Sequence, residues 1–164
     1  MGFLLRPRRR RGEMNAKQDA VTMKVERILV RVPIRDESDL VMARKHVRDL
    51  AGKEGMRPPA LDALTRAVSE VARNIVLHAR EGELFLGVID KPDRRAIAVV
   101  ARDGGPGIVN PDQAMEDGYS TSGSLGLGLS SAKRLVDEFE LASTAGEGTT
   151  VTMKKWIIVP EDRS

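Results

Sequence analysis

The sequence predicts an α+β domain, a two-layer sandwich in which a mixed, mostly antiparallel sheet carries its helices on one face. Three observations support this. Two pairs of β-branched, apolar runs, 83–90 with 94–102 and 139–144 with 149–159, are each joined by a short turn, as in hairpins. Helical-period segments separate the runs, giving the order β-α-α-β-β-α-β-β. The longest of these segments is one-sided, as a helix covering a sheet must be.

In order along the chain, 25–33 is a strand, rich in valine and stopped by Pro33. Asp36 or Ser38 can cap a helix running through Leu40, Val41, Ala43, Val47 and Leu50 to Gly52. A turn follows, and Pro58 and Pro59 forbid helix just before it resumes. Residues 59–79 form the best helix. Leu61, Leu64, Val68, Val71 and Ile75 make its core stripe, and Glu70, Asn74 and His78, spaced at four, make a polar stripe beside it. Lys91, Pro92 and Asp93 turn the first hairpin. A short helix is expected over 111–116, and 117–123 is small, polar and glycine-bounded, as expected of a lid. Residues 127–137 form a helix, and Gly146 and Gly148 turn the second hairpin.

Bulk properties bound the function. A chain of 164 residues suits one domain, placed at 23–160, after a basic tail at 1–22 that reads as disordered. The absence of cysteine excludes disulfides and thiolate metal sites, and two histidines, His46 and His78, cannot make a typical zinc site. No apolar run approaches the ~20 residues of a membrane span, and no secretory leader is recognisable. The expectation is a cytoplasmic protein without a membrane or nucleic-acid partner. The net charge of +3 comes from Arg6 and Arg8 to Arg11, since without those five arginines the rest is acidic. Such a tail can touch nucleic acid or anionic lipid, or can be merely solvated, and Met14 and Met23 are alternative starts.

Glycines mark the site. Gly104, Gly105 and Gly107 follow the strand ending near Ala101, and Gly123, Gly126 and Gly128 open the helix at 127. Glycine at this density is tolerated where backbone must approach a ligand closely or offer N–H groups to an anion. The chain has no P-loop, no dinucleotide-binding fingerprint and no eukaryotic-type kinase loops.

Four blocks in a fixed order resemble the GHKL ATPase superfamily, which includes gyrase, Hsp90, histidine kinases and MutL. Ser69, Glu70, Asn74 and His78 match its N box. Asp103, Gly105 and Gly107 match the D-x-G-x-G box. Gly123, Gly126 and Gly128 match the second glycine box, and Gly146, Gly148 and Thr149 match the terminal G-x-G-T. The resemblance implies the Bergerat two-layer α/β sandwich over nearly the whole domain. Within the superfamily, the run from Glu116 to Leu129 and the stretches around Lys133 and Trp156 are similar to the RsbT-type switch kinases.

The resemblance implies ATP and Mg²⁺ as cofactors and assigns roles by motif. Asp103 would accept the adenine amino group, and Thr149 would assist at the purine edge. Asn74 would offer a neutral oxygen to Mg²⁺. Gly123, Gly126 and Gly128 would present backbone to the phosphates, with Gly105 and Gly107 passing beneath the nucleotide. Glu70 would be the general base, a carboxylate that takes the proton of an attacking serine or threonine hydroxyl. Lys133 and Arg134 could neutralise phosphate charge. The implied activity is a protein serine/threonine kinase acting on STAS-domain proteins, which on release binds and activates a PP2C-type phosphatase. The alternatives are an ATP-binding interaction module without transfer, and an anti-sigma factor.

Overall fold

The computed structural model of the chain describes residues 27–116 and 127–158. Alternation shapes the first strand, β1 (Arg27–Ile34), where Val32 and Ile34 enter the core while Arg31 and Pro33 face outward. Asp36 is the cap of α1 (Glu37–Lys53). Its carboxylate accepts the backbone N–H groups of Ser38 and Asp39 at 2.9 and 3.3 Å. The Ser38 hydroxyl, then these N–H groups, hold the Asp36 carboxyl below its ordinary range.

A turn through Gly55 leads to α2 (Pro58–Asn74), which begins on two prolines where free N–H groups are not needed. Leu64, Val68 and Val71 are buried as the core stripe requires. An ion pair between Arg48 and Asp62 at 3.2 Å ties α1 to α2 on the outer surface.

The sequence reading treats 59–79 as one helix, and the structure corrects this. After Asn74 the helix widens into a π-helical turn, Ile75–Ala79. Such a turn takes one more residue per hydrogen bond, so the stripe at spacing four breaks after Asn74. Ile75 stays in the core. The chain leaves at Arg80 with φ of 69° and enters β2 (Gly82–Asp90).

β2 pairs with β3 (Arg95–Asp103) in unbroken register from Gly82 opposite Asp103 to Asp90 opposite Arg95. Lys91 and Arg94 close the turn with reciprocal backbone hydrogen bonds of 2.9 and 3.3 Å. A one-turn helix, α3 (Pro111–Ala114), is capped by the Asn110 side chain. Next come α4 (Leu127–Leu135), β4 (Glu138–Thr144) and β5 (Gly148–Ile157). The predicted extension of α4 to Asp137 does not form, because Asp137 is instead tied to β5. Its N–H donates to the Lys154 carbonyl at 3.0 Å, and its carboxylate accepts the Trp156 N–H at 2.7 Å.

The strands lie in the order β1-β2-β3-β5-β4. Every pairing between the described strands is antiparallel, so the mixed sheet expected from the sequence is in fact wholly antiparallel there. The helices cover one face, as expected. Leu40, Val47, Leu64 and Val68 interlock with Leu84, Leu86, Ile97, Val99 and Met153 in one core. Leu64 is fully buried at its centre. Leu64→Ala is expected to cost about 2–5 kcal/mol in denaturant unfolding, with an unchanged m-value.

Candidate functional site

The site forms where β3 and β5 end together. Asp103, the last residue of β3, stands opposite Thr149 in the ladder. Its Oδ1 accepts the Gly105 N–H at 2.9 Å, and the Thr149 N–H also donates to the carboxylate. Burial pushes the Asp103 pKa up. The two N–H groups and the charge of His78 oppose that rise without cancelling it.

Two glycines of the first cluster are dictated by contact. Gly107 has φ of 73° and backs directly onto the Thr144 carbonyl, where a Cβ would overlap. A Cβ on Gly105 would lie 2.6 Å from the Ala79 Cβ, so this loop seats against the π turn.

The second glycine cluster meets the polar stripe of α2. A Cβ on Gly128 would lie 3.0 Å from Glu70 Oε2 and 3.5 Å from Asn74 Nδ2. The first turn of α4 therefore sits against the only two side chains of that stripe that share a regular α-helical face. Asn74 Nδ2 is buried with no hydrogen-bond partner among the described residues. An unmet polar group of this kind costs about 1–3 kcal/mol, and a ligand at this point would repay it.

Between these parts lies a cavity of about 110 Å³, several times the ~30 Å³ share of one water. Val71, Ile75, Ala101, Ile108, Leu129 and Val151 wall it, and Asn74, His78, Asp103 and Thr149 converge on it. An apolar slot with a few convergent polar groups suits a flat heterocycle with one polar edge.

Residues 32–155 match the family described as the Histidine kinase-like ATPase domain. The chain belongs to that family. Serine/threonine-protein kinase RsbT of Bacillus subtilis (strain 168) is 43% identical over 126 residues, covering 77% of this chain and 95% of the relative. That likeness makes this ATPase domain one of the RsbT type. The anti-sigma F factor of Priestia megaterium is 34% identical over 107 residues, covering 59% of this chain and 72% of that protein. A crystal structure of the RsbU and RsbW domains of a Mycobacterium tuberculosis protein shares the fold, with a TM-score of 0.54 at 17% identity over 80% of this chain and 34% of that one.

In this ATPase domain the structure gathers Asn74, Asp103, Gly107 and Thr149 around one cavity and sets Glu70 beside Asn74 and Gly128. Gly123, Gly126 and the expected lid at 117–123 lie outside the described residues. Lys133 and Arg134 are not brought to the cavity. They are exposed in the last turn of α4, about 9 Å of helix rise beyond Leu127. Trp156 is remote from the cavity and packs under the Arg94 guanidinium, 3.7 Å from its ring centroid.

Sequence reasoning missed Ser143. Its hydroxyl accepts the Ile108 N–H at 2.7 Å, reaches the Gly148 carbonyl at 3.1 Å, and lies 2.8 Å from Thr149 Oγ1. One hydroxyl thus joins both glycine turns to Thr149. The signal was present. Along β4, Phe139 and Leu141 point inward, and Ser143 is a polar residue at the next inward position.

Two outcomes follow for this domain. Ser143→Ala leaves an N–H and a carbonyl short of a partner. It is expected to lower stability by about 1–3 kcal/mol and weaken ATP binding about fivefold or more, read by denaturation and calorimetry. Asp103→Asn keeps the acceptor for Gly105 but removes a carboxylate whose ionised form the fold disfavours. A raised pKa means the penalty is full at pH 7 and fades as pH falls through that pKa. The variant without ligand is therefore expected to melt at or above the parent's temperature at pH 7. The gap should close on acidification, while ATP binding is lost throughout.

Proposed function

We propose that this chain is an ATP- and Mg²⁺-dependent protein serine/threonine kinase that phosphorylates a STAS-domain protein and, when released from it, binds and activates a PP2C-type phosphatase. One observation carries the catalytic part. Glu70 and Asn74 lie together against the glycine start of α4, and Asn74 and Asp103 both line one cavity.

Asp103 accepts the adenine amino group, and its carboxylate repels the oxygen that guanine carries at that place. Thr149 meets the same edge. With its hydroxyl hydrogen directed to Ser143, its own lone pairs remain for the base or for one water. The apolar walls hold the ring. The N–H groups at the start of α4 receive phosphate oxygens, favoured by the helix dipole.

Among the described residues no group of three or more His, Cys, Asp or Glu side chains could hold a metal. A hard divalent ion here would be held by the Asn74 amide oxygen together with phosphate oxygens and waters. The unpartnered Asn74 Nδ2 beside that oxygen is a donor, and it would suit a phosphate oxygen. When bound, Mg²⁺ would supply charge neutralisation for the phosphates. Glu70 takes the proton of the partner's serine or threonine hydroxyl as that oxygen forms its bond to the γ-phosphorus. The bond from γ-phosphorus to the β–γ bridging oxygen breaks, and ADP leaves.

Similarity to RsbT and to anti-sigma F factors supports the partner-switching setting. The anti-sigma likeness also favours a second reading, an ATP-binding module that holds a sigma factor or another partner. The test is transfer of label from γ-labelled ATP to a STAS protein encoded beside this chain. Glu70→Gln is expected to keep ATP binding within about twofold and to lose transfer by about a hundredfold or more. Equal transfer by parent and variant would remove Glu70 from the chemistry. Binding of ATP with no label on any STAS protein would move the reading to the module.

A further inference from the structure

Asp62 and Glu70 are the only acids of α2, and Asp62 is taken up by Arg48. Glu70 is bracketed by arginines. Arg66 stands four residues before it and Arg73 three after it, positions that share one side of a helix. Both are exposed, on the ridge opposite the buried Leu64, Val68 and Val71. Elsewhere arginines find acids, as Arg31 does with Glu83 and Arg35 with Asp39. Arg66 and Arg73 do not. Among the described residues no ion pair joins either of them to Glu70 or to any other acid. Nor does the helix itself call for both. Arg73 suits the last turn, where the dipole favours a cation, but Arg66 stands about two turns from either end.

We propose that Arg66 and Arg73 dock an acidic segment of the protein substrate, with one carboxylate on each side of the hydroxyl presented to Glu70. The inference rests on the kinase reading above and names what the substrate carries around its acceptor. Spacing supports the match. Along α2, Arg66 lies about 6 Å before Glu70 and Arg73 about 4.5 Å after it. In an extended segment, residues two apart point to the same side and lie about 6.6 Å apart. A segment laid along α2 with its serine or threonine at Glu70 brings the side chains two before and two after it within reach of the two guanidiniums.

Charge selects the same occupant. Glu70 alone would repel an acidic segment and attract a lysine-rich one, whose ammonium groups would pair with the base and block it. Two flanking arginines reverse that preference, so carboxylates are drawn to the border and the neutral hydroxyl is left for the base. A guanidinium also holds a carboxylate through two parallel hydrogen bonds, which fixes position as well as charge. Neither arginine lines the cavity that holds Asp103 and Thr149. Their contribution therefore falls on the affinity for the protein substrate and leaves ATP binding alone.

The test uses the full-length chain and has two arms. In the first, transfer to the STAS protein encoded beside this chain is measured with Mg²⁺ and ATP. Arg66→Glu and Arg73→Glu are each expected to raise KM for that protein about fourfold, and together about tenfold or more, with kcat and ATP affinity within about twofold. Arg57→Glu, the same change at the far end of α2, should leave KM within about twofold. The second arm needs no transfer. Two labelled peptides, a serine between paired glutamates and a serine between paired lysines, are titrated by fluorescence anisotropy with Mg²⁺ and ADP. The parent should bind the glutamate peptide about fivefold or more tightly than the lysine peptide, and the double variant should prefer the lysine peptide. Three outcomes overturn the proposal. The double variant could keep the parent's KM, Arg57→Glu could raise KM as much as the other two, or the parent could bind both peptides alike. A STAS protein that takes no label, with the peptide preference and its reversal intact, would sink the kinase reading and leave the acidic docking site standing.

Discussion

The pairing of β3 with β5 is the interaction on which the site depends. It places the Asp103 carboxylate opposite the Thr149 backbone N–H. The same alignment puts Ser143 within reach of Thr149, Gly148 and Ile108. A slip of one residue would turn Asp103 to the other face and leave the cavity with no carboxylate. That register is held by side-chain alternation along the whole ladder. Ile97, Val99, Val151 and Met153 fill the helix face. Ala96, Ala98 and Val100 fill the other, joined at their edge by Trp156. The chemistry at the strand ends is thus positioned by packing well removed from it.

The π turn at Ile75–Ala79 is the second constraint. It lets Ile75 remain in the core and still brings His78 and Ala79 to the cavity. Ala79 then receives the Gly105 loop at a distance that only a glycine allows. A regular α-helix through this stretch would keep His78 on the line of Glu70 and Asn74. The interruption turns the line, so that Glu70 and Asn74 face α4 from the regular part while His78 and Ala79 border the cavity, which Asn74 also lines, from the wide turn.

Much of this was legible in the sequence. The two hairpins, the two-helix layer and the core stripe of α2 followed from period and punctuation alone. Asp103, Gly105, Gly107 and Thr149 could be named because they stand in motif blocks that resemble those of the GHKL superfamily, in the same order. The turn type after Asn74 was not legible, since Ile75 to Ala79 have ordinary helical composition. Nor was the end of α4. Asp137 has no local reason to stop a helix, and Trp156 and Lys154 recruit it from far along the chain. Ser143 was readable but overlooked, because serine near a strand end suggests a turn unless its inward phase is counted. The apolar cluster on the sheet face away from the helices was hidden for a different reason, in that a strand buried on both sides shows a continuous apolar run and does not reveal what covers each side.

The strand order has a consequence for how the molecule is made. β5 is the last of the described strands along the chain, yet it sits between β3 and β4. During synthesis on the ribosome β4 emerges with no neighbour to pair with, and β3 has one open edge until β5 arrives. Thr149 lies on that last strand. The nascent polypeptide therefore completes its sheet and the cavity at the strand ends in a single late event. Until then it exposes unpaired strand edges of the kind that chaperones shield.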